Sequence, residues 1–366
     1  MNSKVCFFNL AAYSLFYPKS KFPIGGTEVQ LFNLSKYFSC EKEVFFVIGD
    51  CGQKMIERRG RITLYKSSSL DKRFVNYLKA PFLIWKSLKK INADIYIASS
   101  AGIEIGIVAF FCRMYGKKFI YRTASVIDCN REFIRKNGFR GRLYRYGLES
   151  AHAVVAQNEE NKSLLKENHG IDSVVIKNSF VINDESKVGI VKKEFILWVG
   201  RTEPNKQPEI FLEMAQKFPN ERFVMIAPKQ NHLVGYFEEI VKKANVIQNV
   251  TFLESVPFDQ IQDYFNMAKL LICTSEYEGF PNVHLQAYMG GTPVVTLNIN
   301  PDNYIVKNDI GGFANGSTDL LEREVRDLLV DKDVWEKKSK NSYEYVKNNH
   351  DISIIGRQWD DLISIC

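Results

Sequence analysis

The sequence lacks the cysteine pairs from which a disulfide framework or a structural zinc site is built. Its seven cysteines are scattered over 366 residues, their number is odd, and no C-x-x-C pair occurs. The five histidines form no H-E-x-x-H or similar cluster, so no metal site is expected. This use of cysteine is typical of proteins that stay in a reducing compartment, and we therefore expect a cytoplasmic location.

The sequence also lacks an apolar run long enough to cross a membrane. Its longest candidate, residues 102–116, contains Glu104 and falls short of the roughly 20 apolar residues that a spanning helix needs. The apolar N-terminal segment is interrupted by Asn9 and carries a single lysine, which is unlike a secretion signal. We expect it to form a first buried strand at Lys4–Leu10, followed by a loop.

Short apolar runs alternate with longer amphipathic ones along the chain. Runs such as KVCFFNL, EVFFVIG, FILWVG and LLICTS are typical of strands, and helical patterns separate them. With 45% hydrophobic and 25% charged residues, the composition is that of an ordinary globular protein. The alternation predicts an α/β protein with two Rossmann-like, doubly wound parallel-sheet domains that face a central cleft.

The predicted domain boundaries follow a shift in composition halfway along the chain. Residues 1–182 form the predicted first domain, and the polar residues 183–194 are interpreted as a linker. A second domain is predicted over 195–345. The remaining residues, 346–366, are predicted to form a C-terminal helix that could cross back to the first domain.

Two loops carry features of a phosphate-binding site. In WVGRTEPNKQP a predicted strand ends at Gly200 and is followed by Arg201, and Lys206 stands just before a helix. Ligands of open α/β sheets bind at such strand ends, and two cations beside a helix start suit a diphosphate. In the first domain, Gly25–Gly26 precedes a helix and permits close approach of the backbone. Neither loop matches G-x-G-x-x-G or the P-loop, and each alone is also compatible with a solvated turn without function.

A third segment, TSEYEGFPNVHLQAYMGGTPVV, places an acidic loop and a helix between two apolar strands. Asn282 is predicted to cap that helix, because asparagine is a favoured N-cap residue. The peptide N–H groups of Gly279, Phe280, Asn282 and Val283 would then be available to ligand oxygens, whereas Pro281 has none to offer. The segment therefore predicts a binding loop at a helix start.

Glu278 and Gln286 are the polar side chains of this segment that suit a nucleotide sugar. Glu278 precedes the helix and Gln286 lies about one turn inside it, so both could face one crevice. The Glu278 carboxylate would then lie at the sugar, and the Gln286 side chain would lie at the ribose.

In their order and spacing, the three segments resemble the retaining glycosyltransferases of family 4, which have the GT-B fold. The matching stretches are IGGTE, VGRTEPNK and EGFPNVHLQAYMGGTPVV, and the resemblance extends over nearly the whole chain. It implies an enzyme that moves a sugar from a UDP- or GDP-sugar to a glycan or polyprenyl-diphosphate-linked acceptor, with retention of configuration and without a metal or other cofactor. The implied setting is the synthesis of a bacterial surface polysaccharide, such as lipopolysaccharide O-antigen or capsule.

The resemblance also implies roles for individual residues. Glu278 would hold hydroxyls of the transferred sugar, and Arg201 and Lys206 would neutralise the departing diphosphate, so these three are the candidate catalytic residues. The candidate donor-binding residues are Gly25, Gly26, Gly200, Gly279, Phe280, Pro281, Asn282, Val283 and Gln286.

Two positions depart from the family pattern. The family's second glutamate is replaced by Gln286, whose amide accepts through one oxygen only, so weaker donor binding is expected. The histidine that the family often carries in the first domain is absent, and Thr123 and Ser125 occupy that neighbourhood as candidate acceptor-binding residues. The alternatives are a catalytically weak or inactive protein that binds nucleotide sugars as a partner, and an epimerase or phosphorylase on the same architecture.

Two basic stretches, Asp71–Ile91 and Arg131–Gly147, mix lysines and arginines with aromatic residues, and the formal net charge of the chain is +7. They could be core-facing helices with a solvated basic face, or a peripheral face that binds an anionic membrane on the inner side of the cell. No helix-turn-helix, RRM or KH signature accompanies the charge, so nucleic acid is not an expected partner.

Overall fold

The computed structural model describes residues 3–18, 20, 24–69, 74–182, 191–230 and 233–366, without the side chains of 74–78. Most of the predicted linker, residues 183–190, and the start of the first basic stretch, residues 71–73, lie outside these ranges. The chain divides into two compact units, one of Met1–Val181 with Ile352–Cys366 and one of Ile182–Asp351.

The strands of the first unit belong to one mostly parallel sheet. They are β1 (Lys4–Phe8), β2 (Glu43–Asp50), β3 (Ile56–Arg59), β4 (Ile62–Ser69), β5 (Ile95–Ser99), β6 (Lys118–Arg122), β7 (Ala153–Ala156) and β8 (Val174–Val175). Their order is β3-β4-β2-β1-β5-β6-β7-β8, and only the edge pair β3–β4 is antiparallel. The first apolar run therefore forms a central strand, two residues shorter than the predicted Lys4–Leu10.

Helices cover this sheet because the crossover between two parallel strands needs a long connection. They are α1 (Tyr13–Phe16), α2 (Gly26–Phe38), α3 (Phe74–Ile91), α4 (Ile103–Met114), α5 (Glu132–Lys136), α6 (Gly138–Glu149) and α7 (Glu159–His169). The inner faces of α3, α4 and α6 contribute Leu88, Val108 and Tyr144 to one buried core with the sheet. The predicted basic stretches thus form helices with a core-facing side.

The β3–β4 hairpin is absent from the sequence prediction. Its first strand is largely exposed, and polar residues interrupt the second, so neither strand shows the apolar run that marks the buried strands. The turn between them contains Gly60 in the left-handed region, with φ of 59°. A short, charged edge strand of this kind is typical of the way proteins protect the edge of a sheet.

The second unit contains a fully parallel sheet among its described residues. Its strands are β9 (Phe195–Val199), β10 (Phe223–Ile226), β11 (Val250–Leu253), β12 (Ala268–Cys273), β13 (Val294–Thr296) and β14 (Gly311–Phe313), in the order β11-β10-β9-β12-β13-β14. The helices are α8 (Pro208–Lys217), α9 (Val234–Asn245), α10 (Ile261–Met267), α11 (Asn282–Met289), α12 (Tyr304–Lys307), α13 (Thr318–Val330) and α14 (Lys332–His350). Their apolar faces and the strands enclose a second core, which contains Phe211, Ile240 and Val325.

The last helix, α15 (Ile352–Ile365), belongs to the first unit. It packs on α2 at Gly356, where an added Cβ would lie 2.3 Å from Tyr37 Cζ, so only glycine allows this approach. Asp360 completes the contact by accepting hydrogen bonds from the Tyr37 hydroxyl at 2.9 Å and from Lys42 Nζ at 2.5 Å.

The predicted start of this C-terminal segment at residue 346 is corrected by the structure. Residues 346–350 are the last part of α14, and the second unit continues to Asp351. The helix continues because Val346 and His350 are fully buried in the second unit. Among the described helices, none combines the length and the hydrophobicity that crossing a lipid bilayer requires.

Candidate active site

The predicted phosphate loop and the predicted acidic loop follow two neighbouring strands. β9 and β12 lie side by side in the sheet although β10 and β11 separate them in sequence. The strand order therefore reverses direction between them. In doubly wound sheets, ligands bind outside the carboxyl ends of the strands at this switch point.

The loop after β9 presents two cations in different surroundings. Arg201 is exposed, and its Nη1 lies 3.2 Å from Glu203 Oε1. Lys206 ends a short 3-10 turn, Pro204–Lys206, and its side chain is only 12% exposed. Gly200 is required where it stands, because an added Cβ would lie 2.9 Å from Trp198 Cη2.

Hydrogen bonds join this loop to the one after β12. The Thr274 hydroxyl donates to the Lys206 carbonyl at 2.6 Å and accepts from Trp198 Nε1 at 2.9 Å. The Glu276 amide donates to the Asn205 carbonyl at 2.8 Å. Because Thr274 and Trp198 are buried, these bonds hold the two loops in register.

Glu278 and Lys206, predicted independently from two motifs, form an ion pair through Glu278 Oε1. Ser275 Oγ donates to the same carboxylate oxygen at 3.0 Å. The side chain of Glu278 is 22% exposed, so the pair lies at the surface of the loop cluster and is only partly solvated. A carboxylate and an ammonium are thus fixed next to each other at the switch point.

The helix that follows, α11, starts one residue earlier than the predicted cap at Asn282 implies. Pro281 occupies the N-cap position with φ of −73° and ψ of 120°, and Asn282 is already the first helical residue. The predicted capping role of Asn282 is therefore wrong, because the fixed φ of proline makes Pro281 the residue where the chain enters the helix. Gly279 and Phe280 are buried and Val283 is half-buried.

Gln286 lies within α11 and is half-buried, and its main-chain carbonyl accepts a hydrogen bond from Gln262 Nε2 at 2.9 Å. The predicted contact of its side chain with a ribose stays a prediction.

Two residues of this region are absent from the sequence prediction. Lys193 Nζ donates to the carbonyls of Asn266 and Gly290, both at 2.8 Å, and to Thr292 Oγ1 at 2.9 Å, so it anchors the far end of α11. Burial lowers the pKa of Lys193 to about 8. His284, on α11, is fully buried and its Nδ1 is hydrogen-bonded to the Tyr304 hydroxyl. A lysine in a polar segment and an isolated histidine carry no motif from which sequence could find them.

The predicted residues of the first unit lie in two places. Gly25 precedes α2, and an added Cβ there would lie 2.3 Å from Glu28 Oε2, while Gly26 is exposed as the first helical residue. Thr123 follows β6 and is fully buried. Ser125 caps a 3-10 turn, since its Oγ accepts from the Ile127 amide at 3.2 Å. Their contacts with donor or acceptor stay predictions.

The buried carboxylate of Asp128 contacts the loop that carries Thr123 and Ser125. Asp128 accepts hydrogen bonds from the amides of Ala124 at 2.6 Å and Ser125 at 3.3 Å. Burial raises the pKa of Asp128, and these amide contacts oppose the rise. Asp128 thereby fixes the loop that carries Ser125. No group of three potential metal-ligating side chains occurs within the described ranges.

Comparison with known proteins identifies the class. Residues 181–360 match the family model described as Glycosyl transferases group 1. A sucrose-phosphate synthase from Thermosynechococcus elongatus superposes with a TM-score of 0.80 at 14% identity, over 99% of this chain and 98% of that one. Anabaena HepE in complex with UDP-glucose gives a TM-score of 0.75 at 15% identity, over 100% of both chains. The predicted GT-B fold with two parallel-sheet domains is confirmed, and residues 181–360 form a Glycosyl transferases group 1 domain.

Among curated proteins, the chain is 22% identical to a Campylobacter jejuni enzyme over 93% of this chain and 95% of that relative. Its name is GalNAc-α-(1→4)-GalNAc-α-(1→3)-diNAcBac-PP-undecaprenol α-1,4-N-acetyl-D-galactosaminyltransferase. The chain spans less than half the length of two Bacillus subtilis relatives that it also matches, with 42% and 47% of their residues covered.

Proposed function

We propose that this protein is a metal-independent retaining glycosyltransferase that moves a sugar from a UDP- or GDP-sugar to a glycan or polyprenyl-diphosphate-linked acceptor. The observation that carries the proposal is the pairing of Lys206 with Glu278 at the switch point of the second sheet. The Lys206 ammonium suits the diphosphate of a nucleotide sugar, and the neighbouring Glu278 carboxylate suits the hydroxyls of its sugar.

In the proposed reaction, the bond between the anomeric carbon and the diphosphate oxygen breaks. The acceptor hydroxyl oxygen bonds to that carbon from the same face, and its proton passes to the departing diphosphate. Arg201 and Lys206 stabilise the negative charge that develops on the leaving group, which is catalysis by positioned charges. Glu278 holds sugar hydroxyls, and the loop amides after it contact the donor.

The proposed setting is the assembly of a bacterial surface polysaccharide on a lipid carrier. The Campylobacter relative, whose name specifies an undecaprenyl-diphosphate-linked glycan, supports this setting because the alignment extends over nearly all of both chains. The Anabaena structure, which is described as containing UDP-glucose, supports a UDP-sugar as the first donor to test.

A lipid-linked acceptor would bring the enzyme to a membrane, and the first unit offers a surface that suits one. α4 packs against both α3 and α6, and exposed aromatic side chains occur on each of the three helices, including Phe82 at 70%, Phe110 at 49% and Phe139 at 70%. The same helices carry exposed cations: Lys86, Lys89, Lys90, Arg113, Arg140, Arg142 and Arg145. Aromatic groups beside cations suit the interface of an anionic membrane.

The membrane proposal is tested by co-sedimentation with phosphatidylglycerol vesicles and with phosphatidylcholine vesicles. Replacing Lys86, Lys89 and Lys90 by Gln should weaken binding to the anionic vesicles about tenfold or more, since each lysine near such a surface contributes about 1 kcal/mol. A control variant with Lys242, Lys332 and Lys340 replaced by Gln carries the same charge change in the second unit. Equal binding of the two variants would contradict the proposal.

The transfer proposal is tested by a panel of nucleotide sugars with release of the nucleoside diphosphate as the readout. Lys206→Ala and Arg201→Ala should each lower turnover by about tenfold to a hundredfold, because each removes a charged contact worth about 1.5–3 kcal/mol. Arg323→Ala, an exposed arginine on α13, is the matched control. Turnover within threefold of the parent in both site variants would contradict the site, and the anomeric configuration of the product decides retention.

A catalytically weak nucleotide-sugar-binding protein remains the second candidate, and Gln286 is the observation that favours it. Such a protein would bind UDP or GDP in calorimetry and release no product with any donor of the panel. The Gln286→Glu variant would then be the first place to look for recovered turnover.

A further inference from the structure

His284 and Tyr304 form a buried polar contact directly behind the candidate donor loop. His284 lies on α11, three residues after Pro281, and is fully buried, and Tyr304 begins α12 and is 5% exposed. Nδ1 of the imidazole is hydrogen-bonded to the tyrosine hydroxyl. The contact therefore ties the start of α11 to a segment 20 residues further along the chain.

The segment that carries Tyr304 is held in one conformation. Asp302 and Asn303 both adopt left-handed backbone angles, with φ of 55° and 58°, immediately before α12. The Asn300 carboxamide oxygen accepts from the Ile305 amide at 2.9 Å. Tyr304 thus projects from a constrained turn, which makes it a fixed point against which another side chain can be positioned.

Phe280 connects this fixed point to Glu278. Its ring centroid lies 5.0 Å from that of Tyr304 and 5.2 Å from that of His350, at the end of α14. Tyr345 stacks on Tyr304 at 5.6 Å between ring centroids and lies tilted against His350 at 5.3 Å. Since Phe280 is only two residues from Glu278, the Tyr304 ring contacts the loop that carries the carboxylate.

The polar contact is not what a stable core alone would require. Nε2 of His284 has no hydrogen-bond partner within the part of the chain that the structure describes. An unpartnered buried nitrogen destabilises the folded state, and an apolar side chain would fill the same space without that cost. The ring is held neutral, because burial, and then the nearby Lys206 ammonium, lower the pKa of His284 to about 3.

We propose that His284 and Tyr304 are a positioning pair: the hydrogen bond fixes the Tyr304 ring, the ring seats Phe280, and Phe280 holds Glu278 where it can receive the sugar of the donor. The inference rests on the proposed transferase activity and adds to it a pair of residues that touch neither the sugar nor the diphosphate.

The test compares variants that separate the two imidazole nitrogens. In His284→Asn the amide reaches about the position of Nδ1, in His284→Gln it reaches about that of Nε2, and His284→Leu provides neither. Tyr304→Phe removes one oxygen and keeps the ring. KM for the nucleotide sugar, kcat and the melting temperature are measured for each variant, with the donor that gives turnover with the parent protein.

We expect His284→Leu and Tyr304→Phe to raise KM for the donor about three- to tenfold, with a smaller change in kcat, as the loss of one neutral hydrogen bond would do. His284→Asn should return KM to within about twofold of the parent, and His284→Gln should not. His284→Leu should melt no lower than the parent, because it removes an unpartnered polar atom. The double variant should be no worse than either single one.

Parent-like KM values in both His284→Leu and Tyr304→Phe would overturn the inference, as would equal KM values for the Asn and Gln variants. Tyr304→Phe decides the question if His284→Leu does not fold. Absence of turnover in the parent with every nucleotide sugar contradicts the proposed function instead, and binding of UDP to the parent in calorimetry separates the two failures.

Discussion

Glu278→Gln should have opposite effects on nucleotide binding and on sugar transfer. Lys206 is paired with Glu278, so a diphosphate that binds Lys206 must compete with this carboxylate. Glutamine keeps the shape of the side chain and removes its charge, which releases Lys206 from the pair. The same change removes the group that is proposed to hold the sugar hydroxyls.

The size of the first effect follows from the exposure of the pair. Fully exposed ion pairs contribute about 0–1 kcal/mol, and hydrogen bonds to charged groups contribute about 1.5–3 kcal/mol when they are sheltered. With side chains 12% and 22% exposed, the Lys206–Glu278 pair lies between these cases, and Ser275 adds a second contact to the carboxylate. We take about 1 kcal/mol, which corresponds to UDP binding about fivefold more tightly in the variant.

The effect of Glu278→Gln on sugar transfer is larger than its effect on nucleotide binding, and it is a loss instead of a gain. Loss of a carboxylate that accepts from sugar hydroxyls removes about 1.5–3 kcal/mol, so turnover with the nucleotide sugar should fall by about tenfold to a hundredfold. Calorimetry with UDP and with GDP measures the first effect, and release of the nucleoside diphosphate measures the second.

Glu238→Gln is the control, because Glu238 is an exposed glutamate on α9 in the same unit. The competition would be refuted if Glu278→Gln bound UDP threefold more weakly than the parent at an unchanged melting temperature. Turnover equal to that of the control would refute the sugar-binding role of Glu278.

Three further predictions concern other parts of the chain. Gln286→Glu should lower KM for the donor about threefold or more, since a carboxylate accepts from both ribose hydroxyls; a raised KM would mean that the amide makes a contact of its own. His284 lies next to Lys206, Tyr288 and Tyr304, and its pKa in the folded protein is about 3. In the unfolded chain the imidazole protonates near pH 6.5. The folded state therefore keeps its full stability above pH 6.5 and loses stability as the pH falls below that value. Between pH 7 and pH 5 the parent should therefore lose about 2 kcal/mol of unfolding free energy more than His284→Leu in urea titrations, and parallel pH profiles would contradict this. Gly356→Ala should lower the free energy of unfolding by about 1–3 kcal/mol in the same titrations, because its Cβ would clash with Tyr37. Adding Tyr37→Ala to this variant should remove most of the loss that Gly356→Ala causes, and an unchanged loss would contradict the clash as its cause.

The features that could be predicted from sequence are those whose residues lie in one continuous segment of the chain. The buried strands appear as apolar runs, and the loops at Arg201, Lys206 and Glu278 appear as short motifs between a strand and a helix. The order of the sheet explains why these motifs meet, because β9 and β12 become neighbours only when β10 and β11 have been placed on the other side.

Features that could not be predicted depend on distant contacts or on a single backbone angle. The Lys206–Glu278 pair joins residues 72 positions apart, and nothing in either motif specifies its partner. The cap of α11 was assigned to Asn282 on side-chain preference, whereas the fixed φ of Pro281 decides where that helix begins. The β3–β4 hairpin has too few buried residues to leave an apolar pattern.

The assignment of α15 to the first unit has a consequence for the way the protein is made. Translation proceeds from the N-terminus, so all of the second unit, Ile182–Asp351, leaves the ribosome before Ile352–Cys366 does. Until then α2 exposes the face that Gly356 later approaches, and Tyr37 and Lys42 have no Asp360 to bind. The chain of the second unit is thus complete before that of the first unit, which needs residues that are added after it.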